Sequence, residues 1–193
     1  MPWSDAIIEQ FELIDRFTKD ETEYYGPYNT LLHDLFPYEE HFQVIPQFKG
    51  SIIPGSIDFS TIFIVRKRKC PVFFIGIKPF THLDTLSTRE KADTQMRQTF
   101  FSLVNRNLVI PKLYGVGAMG TCLAIYEYSK ESNRLTPRTI VRDPKYVTDV
   151  APADRWTHEL LEPAGEVKLK ELVTLIKAMC ADIACVLCSS TYF

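Results

Sequence analysis

Apolar residues recur along this chain with two spacings, one typical of helices and the other typical of strands. Residues 5–19 carry apolar side chains at helical spacing and predict a first helix. Residues 21–37 predict a second helical segment, interrupted at Gly26-Pro27 and stopped by Pro37. The chain is therefore expected to begin with two helices.

Strand-like segments rich in β-branched and aromatic residues follow these helices. Residues 41–48 predict one strand, and residues 57–65 and 70–79 predict two more on either side of the basic run 66–69. A β-hairpin with the basic run at its tip explains this arrangement best. Because apolar residues fall on both faces of these strands, we expect them in the middle of a sheet that is covered on each side.

The second half of the chain also mixes helical and strand-like patterns. Residues 88–106 predict a helix, residues 112–129 predict strand, turn and strand, and residues 136–143 predict a further edge strand. Polar, proline-bearing sequence from 143 to 165 predicts a loop with a turn around Trp156, before a last helix. This order predicts an α/β fold with a mixed β-sheet flanked by helices.

Length and composition are those of one domain. The chain has 193 residues, of which 46% are hydrophobic and 24% charged, which is enough for one full core. We expect a single domain spanning 1–193. Its parts are N-terminal helices over 1–37, a core sheet with a helix over 42–128, and a C-terminal helix over 166–188.

Net charge and hydropathy limit the partners that the chain could have. The formal charge of -2 gives no overall basic field, so nucleic-acid binding would need a local patch. No apolar run approaches the ~20 residues of a membrane span, and the N-terminus lacks signal-peptide features. We therefore expect an intracellular protein, cytoplasmic or nuclear, without a membrane partner.

Five cysteines without a secretory signal predict reduced thiols. Cys180, Cys185 and Cys188 cluster near the C-terminus, and the last two have the C-x-x-C spacing of zinc and redox sites. No second pair of ligands accompanies them in the sequence. Buried small residues at the end of the last helix are the more common explanation.

Several catalytic motifs are absent or incomplete. Residues 115–120 match G-x-G-x-x-G, but strand-like sequence follows them where a nucleotide site needs a helix, so they predict a turn. The chain has no G-x-S-x-G, and its four histidines lack H-E-x-x-H spacing. Serine-hydrolase, zinc-protease and dinucleotide-binding activities are therefore unsupported.

An acidic and a basic residue stand out on the predicted hairpin. Side chains alternate along a strand, so Gly76 and Lys78 share a face. If the hairpin turn centres on Arg68, the register that keeps both strands equal in length places Asp58 opposite Lys78. From the pattern alone, an ion pair of little energetic consequence is the simpler interpretation.

Several short blocks in a fixed order support a second interpretation. An Asp at the start of the second strand, a third strand that ends in Lys and a helix with a Gln resemble the PD-(D/E)XK nuclease superfamily. The blocks "YYGPYNTLL", "IPQF", "SIDF", "PVFFIGIKP" and "ADTQMRQTF" look like a group of uncharacterised fungal proteins that we associate with that superfamily. The resemblance covers residues 21–128 and implies a restriction-endonuclease-like core.

The resemblance implies a role for individual residues. Asp58 is implied as the metal-binding aspartate, Lys78 as the catalytic lysine and Gln95 as the helix glutamine. Glu23 is implied as the acidic residue of the first conserved helix and a further metal ligand, with Gln47 a neighbour on the first strand. In this chemistry Mg²⁺ or Mn²⁺ polarises the scissile phosphate, and the lysine orients or activates the attacking water.

DNA or RNA is the partner that this resemblance implies. Arg89, Asp93 and Arg97 share the polar stripe of the predicted helix. Arg89 or Arg97 could meet phosphate, although surface pairing with Asp93, four residues from each, is the commoner explanation. The basic run could contact phosphates or act as a nuclear import signal, although such runs are more often solvated hairpin tips. That run consists of Arg66, Lys67, Arg68 and Lys69.

Gly76 is the departure from the family pattern, because it occupies the acidic position two residues before the lysine. Glycine offers no metal ligand, so Mg²⁺ affinity should fall sharply. Three explanations remain open: natural loss of catalysis, migration of a carboxylate to Glu90 or Asp93 on the following helix, or replacement of the natural residue. Because Asp93 is expected to face solvent, we rank loss of catalysis above migration.

The sequence thus predicts a nuclease-fold protein whose lineage hydrolyses phosphodiesters with a metal, and whose own activity is impaired. The alternative is a non-enzymatic nucleic-acid or protein binding module, such as an effector that uses the same pocket or the basic hairpin tip.

Overall fold

The structure is a computed structural model that describes residues 2–49, 60–105, 108–181 and 183, with the side chains of 47–49 and 60–61 left out. The described residues form four α-helices and seven strands. The helices are α1 (Asp5–Glu12), α2 (Tyr25–Leu35), α3 (Leu86–Val104) and α4 (Pro163–Met179). The strands are β1 (Phe42–Lys49), β2 (Ser60–Lys67), β3 (Cys70–Lys78), β4 (Lys112–Met119), β5 (Cys122–Ser129), β6 (Arg134–Thr136) and β7 (His158–Glu159).

All seven strands belong to one sheet. The strands lie in the order β1-β2-β3-β4-β5-β6, and β7 pairs with β5. β3 and β4 are parallel, whereas the other neighbours are antiparallel. The predicted α/β architecture with a mixed sheet is therefore confirmed, and most of its pairings are antiparallel.

Helices cover both faces of the central strand, β3. Phe73 stacks on Phe36, just after α2, with ring centroids 5.5 Å apart. Its neighbour Phe74 points to the other face and meets Phe100 of α3 at 4.7 Å. Since residues 71–77 are all buried, the expectation of a central strand covered on each side is confirmed.

The β2–β3 hairpin has a tight turn at Arg68 and Lys69. Both residues have positive φ, 50° and 70°, as type I′ turns require. A β-bulge between Val65 and Arg66 then shifts the register, so that Ile62 pairs with Gly76. The predicted register would have paired Ile62 with Phe74 and is wrong by two residues. Asp58, which that register placed opposite Lys78, lies outside the described residues.

Other predicted elements differ mainly at their ends. α1 ends at Glu12, well before the predicted end of the first helix, and Phe17 is 78% exposed. α2 runs through Gly26-Pro27, because Pro27 lies in its first turn, where a missing N–H costs nothing. The predicted edge strand forms earlier, as β6.

The glycine-rich segment 115–120 forms β4 and the turn that leads into β5. Gly120 has a φ of 60°, and Met119 pairs with Cys122 across that turn. The prediction of strand, turn and strand is confirmed. Among the described residues, no helix has the length and apolar character needed to cross a bilayer.

Candidate functional site

A small cleft lies where the C-terminal end of β3 meets α3. It is narrow: only about 10 Å³ is open to the centre of a water-sized sphere, which is room for about one water molecule. Its lining consists of Gly76, Lys78, Ala92, Gln95, Met96, Gly117, Ala118 and Trp156. Three of these residues, Gly76, Lys78 and Gln95, were candidates from the sequence. We call the site the β3–α3 cleft.

Two glycines on neighbouring strands make room for the cleft. Gly76 of β3 and Gly117 of β4 are partners in the parallel register. A Cβ on Gly76 would lie only 3.2 Å from Met96 Sδ, and one on Gly117 would lie 3.7 Å from Trp156 Nε1. A glycine inside a central strand is costly unless another group must come close. At Gly76 Met96 of α3 does, whereas a Cβ on Gly117 would make only ordinary van der Waals contacts.

Two buried N–H donors in the cleft have no hydrogen-bond partner among the described residues. They are Gln95 Nε2 on α3 and Trp156 Nε1, which follows the short turn Ala153–Arg155. The whole Trp156 side chain is buried, at 4% exposure. An unpaired buried donor costs about 1–3 kcal/mol, so the pair marks a place where an external acceptor would be well bound.

Lys78 borders the same cleft and is paired with a carboxylate. Its Nζ lies 2.9 Å from Glu21 Oε2, and both side chains are largely buried. The other oxygen of Glu21 accepts a hydrogen bond from Tyr25 Oη at 2.5 Å. Glu23, the acid that the resemblance implied, is exposed and accepts from Thr18 Oγ1 instead. Glu21 is therefore the acid that reaches Lys78.

Asp93 is buried, so the expectation that it faces solvent is wrong. It is 5% exposed and lies between two guanidinium groups. Arg155 Nη1 donates to Asp93 Oδ1 at 2.7 Å, and Arg97 Nε donates to Oδ2 at 2.7 Å. Tyr126 Oη also donates to Oδ1, at 2.9 Å. Two cations this close oppose binding of a further cation, which disfavours Asp93 as the migrated metal ligand.

Burial, and then the nearby Asp93 carboxylate, raise the pKa of Tyr126 above its ordinary value. The phenol therefore stays protonated at neutral pH and remains a donor to Asp93. The α3–β5 contact thus contains a fully hydrogen-bonded carboxylate.

Arg89 is also buried, although the helical pattern placed it on the polar stripe of α3. Its guanidinium donates to Ala151 O at 2.9 Å, to Leu83 O at 2.6 Å and to Asp149 Oδ2 at 2.6 Å. These bonds use all three nitrogens, so Arg89 ties the 149–151 loop to α3 and has little capacity left for phosphate. Glu90, the other candidate for a migrated carboxylate, is paired with Arg142.

The described residues of the cleft do not match a magnesium or manganese site. Within the described part of the chain, no three His, Cys, Asp or Glu residues lie together as metal ligands would. Gly76 has no donor atom, and Glu21 is engaged by Lys78. Asp58 lies outside the described residues.

The basic run forms the hairpin tip. Arg68 and Lys69 are exposed, whereas Lys67 Nζ lies 4.7 Å from the centroid of the Phe42 ring. The tip lies at the start of β3, and the other end of that strand, at Lys78, borders the β3–α3 cleft. At the other end of the chain Cys180 is buried, which raises the pKa of its thiol to about 11, whereas Cys185 and Cys188 lie outside the described residues.

Sequence reasoning missed two residues of the site, Glu21 and Trp156. Glu21 and Glu23 lie in one short 3-10 turn, Glu21–Tyr24, and spacing alone does not decide which of them reaches β3. Trp156 gave a weak signal, because it and Tyr146 are the two large aromatic residues in the polar sequence from 143 to 165.

Neither the protein-family models, nor the curated proteins, nor the solved structures with which the chain was compared gave a match.

Proposed function

We propose that this chain is a nuclease-like protein that binds nucleic acid, and that its lineage's metal-dependent phosphodiester hydrolysis is impaired in it. One observation carries the proposal. N–H groups of Lys78, Gln95 and Trp156 border one cleft, and Glu21, the carboxylate that meets Lys78 within the described part of the chain, is already paired. Such a lining favours an anionic oxygen over a divalent cation.

A phosphate oxygen would accept from the Gln95 amide and the Trp156 indole once the flexible Met96 side chain moves aside, because both donors are buried and the cleft has room for about one water molecule. Neither donor has a partner within the described protein, so binding would break no internal hydrogen bond at these two groups. The Lys78 ammonium would add a further N–H donor, which Glu21 holds in place while offsetting its charge. Charge-assisted hydrogen bonds of this kind are about twice as strong as neutral ones.

The resemblance supports the nuclease-like origin. In a PD-(D/E)XK core, a central strand ends in the catalytic lysine and is followed by a helix that carries a glutamine. β3 ends at Lys78 and α3 carries Gln95 into the same cleft, which is consistent with that arrangement. Gly76 then stands where the lineage has a metal-binding carboxylate.

The test combines nucleic-acid binding with nuclease activity. Wild-type protein is titrated against labelled DNA and RNA in EDTA, and cleavage is followed separately with Mg²⁺ or Mn²⁺. We expect binding without a divalent metal and no cleavage above a protein-free blank. Efficient metal-dependent cleavage by the wild-type protein would disprove the impairment.

The lineage is tested by restoring a carboxylate. Gly76→Asp and Gly76→Glu should bind Mg²⁺ or Mn²⁺ in calorimetry, whereas Gly76→Ala, which adds the same Cβ without an acid, should not. Met96 can make room because its side chain is flexible. If both acidic variants fold but neither binds metal nor cuts DNA or RNA, the catalytic lineage has no chemical support.

A further inference from the structure

An open groove runs along the other side of α3, next to β6. Two adjoining hollows of about 580 Å³ and about 270 Å³ form it, and they share Arg97 and Thr139. Four arginines line the groove, namely Arg97, Arg134, Arg138 and Arg142, and we call it the arginine groove. It lacks the closed shape of a small-molecule pocket.

The arginine groove is strongly basic in a chain whose formal charge is -2. Only two carboxylates line it, Asp93 and Glu90, and both are held by arginines. Arg134 and Arg138 are exposed, and neither forms an ion pair with another described residue. The groove therefore has an excess of positive charge that the fold leaves facing solvent.

Arg97 is held rigidly at the centre of this groove. Its Nε and Nη2 donate to Asp93, and Nη2 also donates to Pro137 O at 2.9 Å. The Nη1 group donates to no described residue, so its two N–H groups remain for an external acceptor. Since Asp93 is fixed in turn by Arg155 and Tyr126, the guanidinium is preorganised.

We infer that the arginine groove holds the sugar-phosphate backbone of a nucleic acid. Guanidinium groups bind phosphate oxygens through paired N–H donors, and an elongated groove with several arginines suits a chain of phosphates. Exposed Asn133 and Thr139 supply further polar contacts along it. The inference rests on the proposed function and adds the surface on which the bound strand lies.

The groove and the cleft are joined through consecutive residues. Arg155 donates to Asp93 beneath the groove, and the next residue, Trp156, lines the β3–α3 cleft. Both residues therefore lie against side chains of α3, Arg155 at the groove and Trp156 in the cleft.

The test is the salt dependence of binding to a fluorescein-labelled single-stranded oligonucleotide in EDTA, measured by anisotropy. In Arg134→Gln/Arg138→Gln, two exposed charges are removed, and the slope of log K against log salt should become shallower by about 1.4. The control Arg68→Gln/Lys69→Gln removes two charges from the hairpin tip and should keep the wild-type slope. Circular dichroism checks that each variant is folded.

Four results would overturn the inference. If wild type binds and the groove variant keeps the wild-type slope, the groove does not contact the phosphates, although the proposed function still holds. A shallower salt dependence in the hairpin variant alone would show that the phosphates contact the hairpin tip. If poly-L-glutamate displaced the labelled oligonucleotide as well as an unlabelled oligonucleotide of the same charge does, the groove would instead fit an acidic protein partner. Absence of any wild-type binding at low salt would instead reject the proposed function together with the inference.

Discussion

Gln95 places an amide N–H in a buried position where the protein offers it no acceptor. Methionine has a similar size and helix propensity but no polar N–H. Gln95→Met should therefore raise the free energy of unfolding by about 1 kcal/mol, because the desolvated donor is removed. The same variant should bind an oligonucleotide about tenfold more weakly, because a charge-assisted hydrogen bond is lost.

Urea unfolding and anisotropy measure the two effects. Gln10→Met on α1 is a matched control, since Gln10 is half-buried on a helix far along the chain from the cleft. A Gln95→Met protein that is less stable than wild type and binds equally well would show that the amide has a purely structural role.

Asp93 is the residue that holds Arg97 and Arg155 together, and its loss leaves two largely buried guanidinium groups without an acceptor charge. Asp93→Asn should lower the free energy of unfolding by about 3 kcal/mol. Tyr126→Phe removes a single hydrogen bond to the same carboxylate and should cost about 1 kcal/mol. Urea denaturation checks both values; an Asp93→Asn protein within about 0.5 kcal/mol of wild type would contradict this account.

The resemblance pointed to Lys78 and Gln95, and the structure places both in the lining of one cleft. The orientation of other side chains was not predictable. Asp93 lies on the polar side of the helical pattern, yet its carboxylate is buried. Tyr126 from β5 and Arg155 from a loop distant in sequence cover it and donate hydrogen bonds to it. The choice of Glu21 over Glu23 likewise depends on how a 3-10 turn approaches β3.

At the level of elements, α4 begins against the strand that precedes it. A Cβ on Gly165, in the first turn of α4, would lie 1.8 Å from Glu159 O, a backbone atom that has little room to move. Gly165→Ala should therefore lower the free energy of unfolding by more than about 2 kcal/mol.

Gly26→Ala is the matched control for this prediction. Gly26 lies in α2 with nothing within 4 Å of its added Cβ apart from its chain neighbours. The gain in helix propensity is offset by contact of that Cβ with the ring of Pro27, so alanine should change the free energy of unfolding by less than about 1 kcal/mol. Thermal and urea unfolding compare the two variants. Equal stability of Gly165→Ala and wild type would mean that α4 does not pack closely on β7.

The types of most elements followed from hydropathy and turn residues, but the register of the central hairpin did not. Spacing located the turn within "RKRK", and only the positive φ values at Arg68 and Lys69 and the bulge beside Arg66 determine which residues pair. Register depends on backbone details that sequence patterns do not encode.

For the molecule as a whole, net charge gave no indication of where a polyanion would bind. The basic run at the hairpin tip was the visible candidate, because its charges are consecutive. The arginine groove gathers Arg97, Arg134 and Arg138 from α3, β6 and the following segment, so only the tertiary fold brings them together. Arg97 alone among them was a candidate from sequence.

The most direct measurement is the indole N–H resonance of Trp156 in a ¹⁵N-labelled sample during titration with a short oligonucleotide in EDTA. The chain has two tryptophans, and Trp3 is an internal control because its Nε1 already donates to Leu160 O at 2.9 Å. The account predicts a downfield shift of the Trp156 indole proton as it acquires an acceptor, with Trp3 unchanged. A Trp156 resonance that stays in place when anisotropy shows saturated binding would contradict the claim that the β3–α3 cleft receives the nucleic acid.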